Sequence, residues 1–394
     1  MGAPYPPPVA AILAAMRGKP GRRLQLGLTV VVVIAVPLVL AACSSGGSPT
    51  PTSSGRTSST TTTAASSAPT TTVPAPPSGP LTLGAPIALP FSADRVTAAE
   101  SPDGAVFAAP QNPTSPSPSV AWVVDGNGPA LIAEHVATGI AALAADTTNF
   151  YVATYSTVFA YSRATGNQDG QWTMPSVPTA NASNDDLVAL AAANGSVFVS
   201  VTRGNTVSVY TINPATSAAP HLLLSGLGAA VGSDGSVYYE RTDHQLVARR
   251  PNGAIALGPT LADKPNGLGG GVQYVEVVAG GAVWVSEPAG QGLDASYSTY
   301  DAATLHPLGT FEGSVTSTVV DSSAGALVLE AAGSDPACPQ ASPSSPTSCV
   351  FNIVPQGAVT NAVGVGGAVT LLGPDPAVIV SDTTTGQFDL MRLS

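Results

Sequence analysis

Residues 150–172 read FYVATYSTVFAYSRATGNQDGQW. Two short aromatic and β-branched runs, Phe150-Tyr151-Val152 and Thr157-Val158-Phe159, stand on either side of Thr154-Tyr155-Ser156. A stretch rich in Gly, Asn and Asp then leads to Trp172. Bulky side chains of this kind suit a pleated, half-buried surface, and the small polar residues between them supply turns. With the apolar run before Phe150, the segment predicts four consecutive strands at 140–145, 150–154, 157–161 and 170–174.

Working outward, the same pattern returns across the chain. Seven ten-residue windows align: 101–110 (SPDGAVFAAP), 145–154 (ADTTNFYVAT), 192–201 (AANGSVFVSV), 232–241 (GSDGSVYYER), 278–287 (VAGGAVWVSE), 322–331 (SSAGALVLEA) and 373–382 (GPDPAVIVSD). Each begins with a turn, often with Gly at its fourth place, and continues into a bulky apolar triplet. Their starts lie 44, 47, 40, 46, 44 and 51 residues apart. A period of about 40–50 residues with four strands per unit is the signature of a β-propeller blade. No long segment with helical periodicity occurs after about residue 81. The expected fold is therefore all-β, a seven-bladed β-propeller over residues 81–394, preceded by a signal segment and a disordered linker.

A ring must also close. Residues 388–393 fit the third strand of the last blade, and no fourth follows. Residues 85–90 have no blade of their own, and 95–99 fit the first strand of blade 1. The N-terminal strand is thus expected to complete blade 7, which removes an edge that would invite aggregation.

The order in blade 2 of a strand, a short turn, an apolar strand ending in Tyr161, then Ala164-Thr165-Gly166 and Trp172 resembles the repeat of quinoprotein-like propellers. Residues 206–216 (TVSVYTINPAT) and 298–305 (STYDAATL) repeat parts of it. The resemblance implies the fold. Quinoprotein dehydrogenases carry adjacent cysteines against their cofactor and calcium ligands besides. No two of the three cysteines here are neighbours, so no cofactor is expected. His135, His221, His244 and His306 lie 86, 23 and 62 residues apart, without metal-ligand spacing, and no metal is expected. Neither a Gly-x-Ser-x-Gly elbow nor a phosphate-binding loop occurs. Residues 125–128 (DGNG) lack the glutamate of a calcium loop at the twelfth place and read as a turn. No catalytic residue is assigned.

Charged residues make up 9% of the chain and the net charge is −11. Phosphate contacts need clustered cations, so a nucleic-acid partner is excluded. Four of the 13 cations (Arg17, Lys19, Arg22 and Arg23) precede a nearly unbroken apolar run at 24–42, which ends in Leu40-Ala41-Ala42-Cys43. A basic flank, an apolar run and a small-residue cleavage site make an export signal. The ending resembles the lipobox of bacterial lipoproteins. That resemblance implies a signal peptide over 1–42, diacylglycerol on Cys43 and a head anchored on the extracytoplasmic face of the cell membrane. An uncleaved transmembrane helix is the alternative. Met1 and Met16 are the two candidate start residues. Residues 43–80, beyond the cysteine, are almost wholly Ser, Thr, Pro, Gly and Ala, a composition expected to form a disordered tether.

In an exported chain the remaining pair, Cys338 and Cys349, is expected to form a disulfide. Three connections between second and third strands look long: 111–119 in blade 1, 287–298 in blade 5, and the loop the cysteines bracket in blade 6. Long loops on a rigid scaffold are where recognition usually sits. A binding rim is expected there, with Asp294 and Tyr297 as contributors. Together these features predict a monomeric, membrane-anchored, non-catalytic binding or scaffold module for an envelope protein or a small extracellular ligand. The alternative is a lactonase-like or glycosidase-like hydrolase with carboxylates at the central channel.

Overall fold

The computed structural model describes residues 80–394, apart from 94, 112–118, 126–127, 138, 155, 176–186, 204–205, 262–273, 289–293, 315–317, 324, 332–347 and 383–384. Seven four-stranded antiparallel sheets follow one another along the chain. Each is one blade, with strands A to D numbered from the centre outward. In blade 2 these are Ala142–Ala145, Asn149–Ala153, Thr157–Ser162 and Gln168–Thr173. All four lie within two residues of the expected strands. The inner strands of the other blades are Arg95–Glu100, Leu187–Ala193, Gly228–Val231, Tyr274–Ala279, Thr318–Ser322 and Ala368–Leu372.

The ring closes through the N-terminal segment. Ile87–Ser92 pairs with Gln387–Arg392 as the outermost strand of blade 7. The strand lies two residues later than the expected 85–90, and its register is irregular between Ala88 and Ser92. Leu83 bridges Leu393 just before it, and Leu89 is fully buried.

The hydrophobic core is not central. It divides into seven clusters, each shared by two neighbouring blades. This follows from the period of two in a strand: both faces of a blade meet another blade, so alternate residues serve opposite seams. Tyr151 and Val158 thus pack toward blade 3, while Phe150 and Tyr161 pack toward blade 1. At the latter seam Phe150 stacks on Phe107 at 5.5 Å and on Tyr161 at 5.0 Å.

Polar clasps tie the seams together at the end of the ring that carries the A–B and C–D turns. Arg163 pairs with Asp103 across blades 2 and 1 at 2.9 Å. Arg250 donates to the carbonyls of Ala302 and Ala303 across blades 4 and 5. Ser323 N–H donates to the Pro374 carbonyl across blades 6 and 7. Gly373 lies so close to the Asp321 carbonyl that any Cβ would collide with it.

Candidate functional site: the central channel

Each inner strand bonds only to strand B of its own blade. Its other edge, with unpaired backbone groups, faces the centre. The C-terminal halves of all seven inner strands surround a cavity of about 640 Å³. Its wall is mostly small or aliphatic: Ala99, Ala144, Ala191, Val231, Val277, Val320 and Leu372. Two carboxylates interrupt it, Glu100 of blade 1 and Asp321 of blade 6, and among the described residues no Lys, Arg or His lines it. These two acids were missed from the sequence, yet a signal exists. Each immediately precedes a repeat window, and at the other five windows that position holds Ala144, Ala191, Val231, Val277 or Leu372.

The two acids differ in their surroundings. The Glu100 side chain is 0% exposed, and its Oε1 lies 2.6 Å from Nη1 of Arg392, at the end of the third strand of blade 7. Its Oε2 is buried and has no hydrogen-bond partner within reach among the described residues. Arg392 also donates to the carbonyls of Gly104 and Asp375. Burial pushes the Glu100 carboxyl up to about 7, against the opposing pull of the Arg392 hydrogen bond and charge. Asp321 is exposed to the channel. Its Oδ1 accepts from the Gly280 N–H at 2.8 Å, and it has no ion pair among the described residues. Desolvation by the surrounding wall raises its carboxyl, and the Gly280 N–H works against that rise.

Tyr297, an expected rim contributor, is 2% exposed and lies within blade 5, edge-on to Trp284 at 6.1 Å. The reason is strand length. The flanking strands Ala282–Pro288 and Asp294–Asp301 consume most of the segment read as a loop, and alternation turns Tyr297 inward. Its hydroxyl bonds Glu276, whose carboxyl burial raises above its ordinary value. Asp294 opens that same strand opposite Ser314, and its side chain lies outside the described residues. Tyr297 is therefore turned into the blade and away from any rim.

Cys349 is buried in the strand Ser348–Ile353, opposite Glu330 and Gly364. Cys338 and Cys43 lie outside the described residues, as do the signal segment and the tether. Asp125 and Gly128 pair directly as the end of the register between the third and fourth strands of blade 1, and residues 126–127 lie outside the described residues. Among the described residues no group of three or more His, Cys, Asp and Glu is placed to hold a metal ion. His244 lies 2.7 Å from the buried Glu240 in blade 4, away from the residues that line the channel.

No family model and no curated protein matches this sequence. Solved propellers are similar in fold. The WD40 domain of coronin from Toxoplasma gondii shares 13% identity over 80% of this chain and 86% of that one, with a TM-score of 0.48. Hsv2 from Kluyvelomyces marxianus shares 10% identity over 77% and 96%, with a TM-score of 0.42. The WD40 domain of SCAP from fission yeast shares 10% identity over 79% and 96%, with a TM-score of 0.40. At such identities the likeness concerns the fold alone.

Proposed function

We propose that the chain is a lipid-anchored extracytoplasmic protein whose ring-shaped head is a non-catalytic binding module, tethered through residues 43–80 to diacylglycerol on Cys43. The observation that carries the non-catalytic part is the channel wall. Hydrolysis by paired carboxyls needs two groups converging on one bond. Here the two acids come from blades 1 and 6, with blade 7 between them, and Glu100 is engaged by Arg392. The resemblance of the blade 2 repeat to quinoprotein-like propellers contributes the fold to this reading and no cofactor. The anchor rests on the basic flank, the apolar run and Leu40-Ala41-Ala42-Cys43.

The test is affinity capture of the acylated protein from native membranes, beside a Cys43→Ala variant. A stoichiometric envelope partner, together with release of the variant from the membrane fraction, supports the reading. Membrane retention of the variant refutes the lipid anchor. Clean isolation of the protein without a partner shifts the binding role to a small ligand.

One observation favours the hydrolase reading: burial pushes the Glu100 carboxyl up to about 7 and raises that of Asp321 as well, the direction in which general acids are tuned. Turnover of a lactone or aryl-glycoside series that Asp321→Asn abolishes would establish it. The Cys338–Cys349 bridge belongs to the same proposal. Thiol alkylation with mass measurement on the oxidised, denatured chain should find neither cysteine modified, and modification of both would remove the bridge.

A further inference from the structure

We propose that the channel binds a small organic cation, with its ammonium group on Asp321 and its aliphatic body against the Ala, Val and Leu side chains of the inner strands. This goes beyond partner binding and stands without it.

Three observations carry it. The cavity, about 640 Å³, falls in the usual range for small-molecule sites of about 300–1,000 Å³. Its wall is apolar with few polar groups, the pattern that orients a ligand through one or two contacts. Its charge is one-sided, with two acids and no basic side chain among the lining residues. Of these acids, Glu100 is met by Arg392 at 2.6 Å, whereas among the described residues Asp321 is met only by the Gly280 N–H at 2.8 Å. The uncompensated charge in the channel is therefore the one on Asp321. An alkylammonium ion answers both features of the site. Its cation offsets the Asp321 carboxylate, and its hydrogens can also reach carbonyls along the inner strand edges that face the channel. A divalent metal is a poorer match, because no third ligand joins the two acids among the described residues.

The experiment is titration calorimetry on the full-length chain with n-hexylammonium, 1-hexanol and hexanoate. The ammonium ion should bind at least about tenfold more tightly than the alcohol, and hexanoate should not bind measurably. Asp321→Asn should bring the ammonium ion down to the level of the alcohol. Should that variant fold poorly, the wild-type Gly280 amide supplies a second readout by nuclear magnetic resonance. Its signal should move with the ammonium ion and stay in place with the alcohol. Equal binding of the three probes, no binding by any, or an ammonium preference that survives Asp321→Asn with a still Gly280 signal would overturn the proposal.

Discussion

Blades 1 and 6 flank blade 7, and each ends its inner strand with a carboxylate at the same cavity. The surroundings separate them. Glu100 is sealed against Arg392, whose guanidinium also holds the carbonyls of Gly104 and Asp375. That cluster ties the third strand of blade 7 to blade 1, whose only chain connection to blade 7 runs through the outer strand Ile87–Ser92. Asp321 sits at the seam of blades 5 and 6, accepts one N–H among the described residues, that of Gly280, and remains open to the channel. One acid is committed to closing the ring and the other is left to a ligand. A position in a repeat fixes where a side chain stands, and its neighbours decide its task.

The largest effect should come from removing closure altogether. Deletion of residues 81–92 takes away the outer strand of blade 7 with Leu81, Leu83 and Leu89, and uncovers Phe388 and Leu390. Loss of buried leucines at about 2–5 kcal/mol each should leave the ring unable to melt cooperatively. An unchanged melting temperature would separate the clasp from closure and break the comparison.

Next in size is Arg392→Met, which strands a buried carboxylate. At about pH 8 it should cost about 3 kcal/mol, measured by urea unfolding. At about pH 5, where Glu100 holds its proton, the loss should shrink. A loss independent of pH would mean that Arg392 acts through its carbonyl contacts alone.

Glu100→Gln sharpens the same point. The folded carboxyl holds its proton up to about 7, against an ordinary value of 4.5. The folded state therefore binds the proton more tightly than the unfolded chain. Its stabilising effect is fully present below about pH 4.5 and is lost as pH rises through about 7. Wild type should lose stability across that window, and Glu100→Gln should show a flatter profile. Glu276 and Asp321, also raised, leave a residual slope of the same sign. A profile unchanged in the variant would assign the slope to those two acids. The smallest effect belongs to Asp321→Asn, where the amide oxygen can still accept from Gly280. Unfolding should change by no more than about 0.5 kcal/mol.

The seven blades and their closure were legible because turn, apolar triplet and spacing recur locally. Phe150-Tyr151-Val152 and Val283-Trp284-Val285 each declare a strand without reference to the rest of the chain. The channel acids were not read, although Glu100 and Asp321 break an otherwise apolar series at one repeat position. Their meaning depends on Arg392 and Gly280, which lie 292 and 41 residues away. Tyr297 misled for the opposite reason. Its neighbours, Gly, Gln, Asp and Ser, look like a loop, but pairing with Ser286 and Phe311 continues the strand through it.

The most direct measurement is unfolding at about pH 8, with and without n-hexylammonium, for wild type, Arg392→Met and Asp321→Asn. The expected result is a division between the two variants. Arg392→Met starts less stable and keeps the ligand's increment, and Asp321→Asn starts as stable as wild type and loses that increment. Both effects falling on one variant, or an increment absent from wild type, would contradict the separation of ring closure from ligand binding.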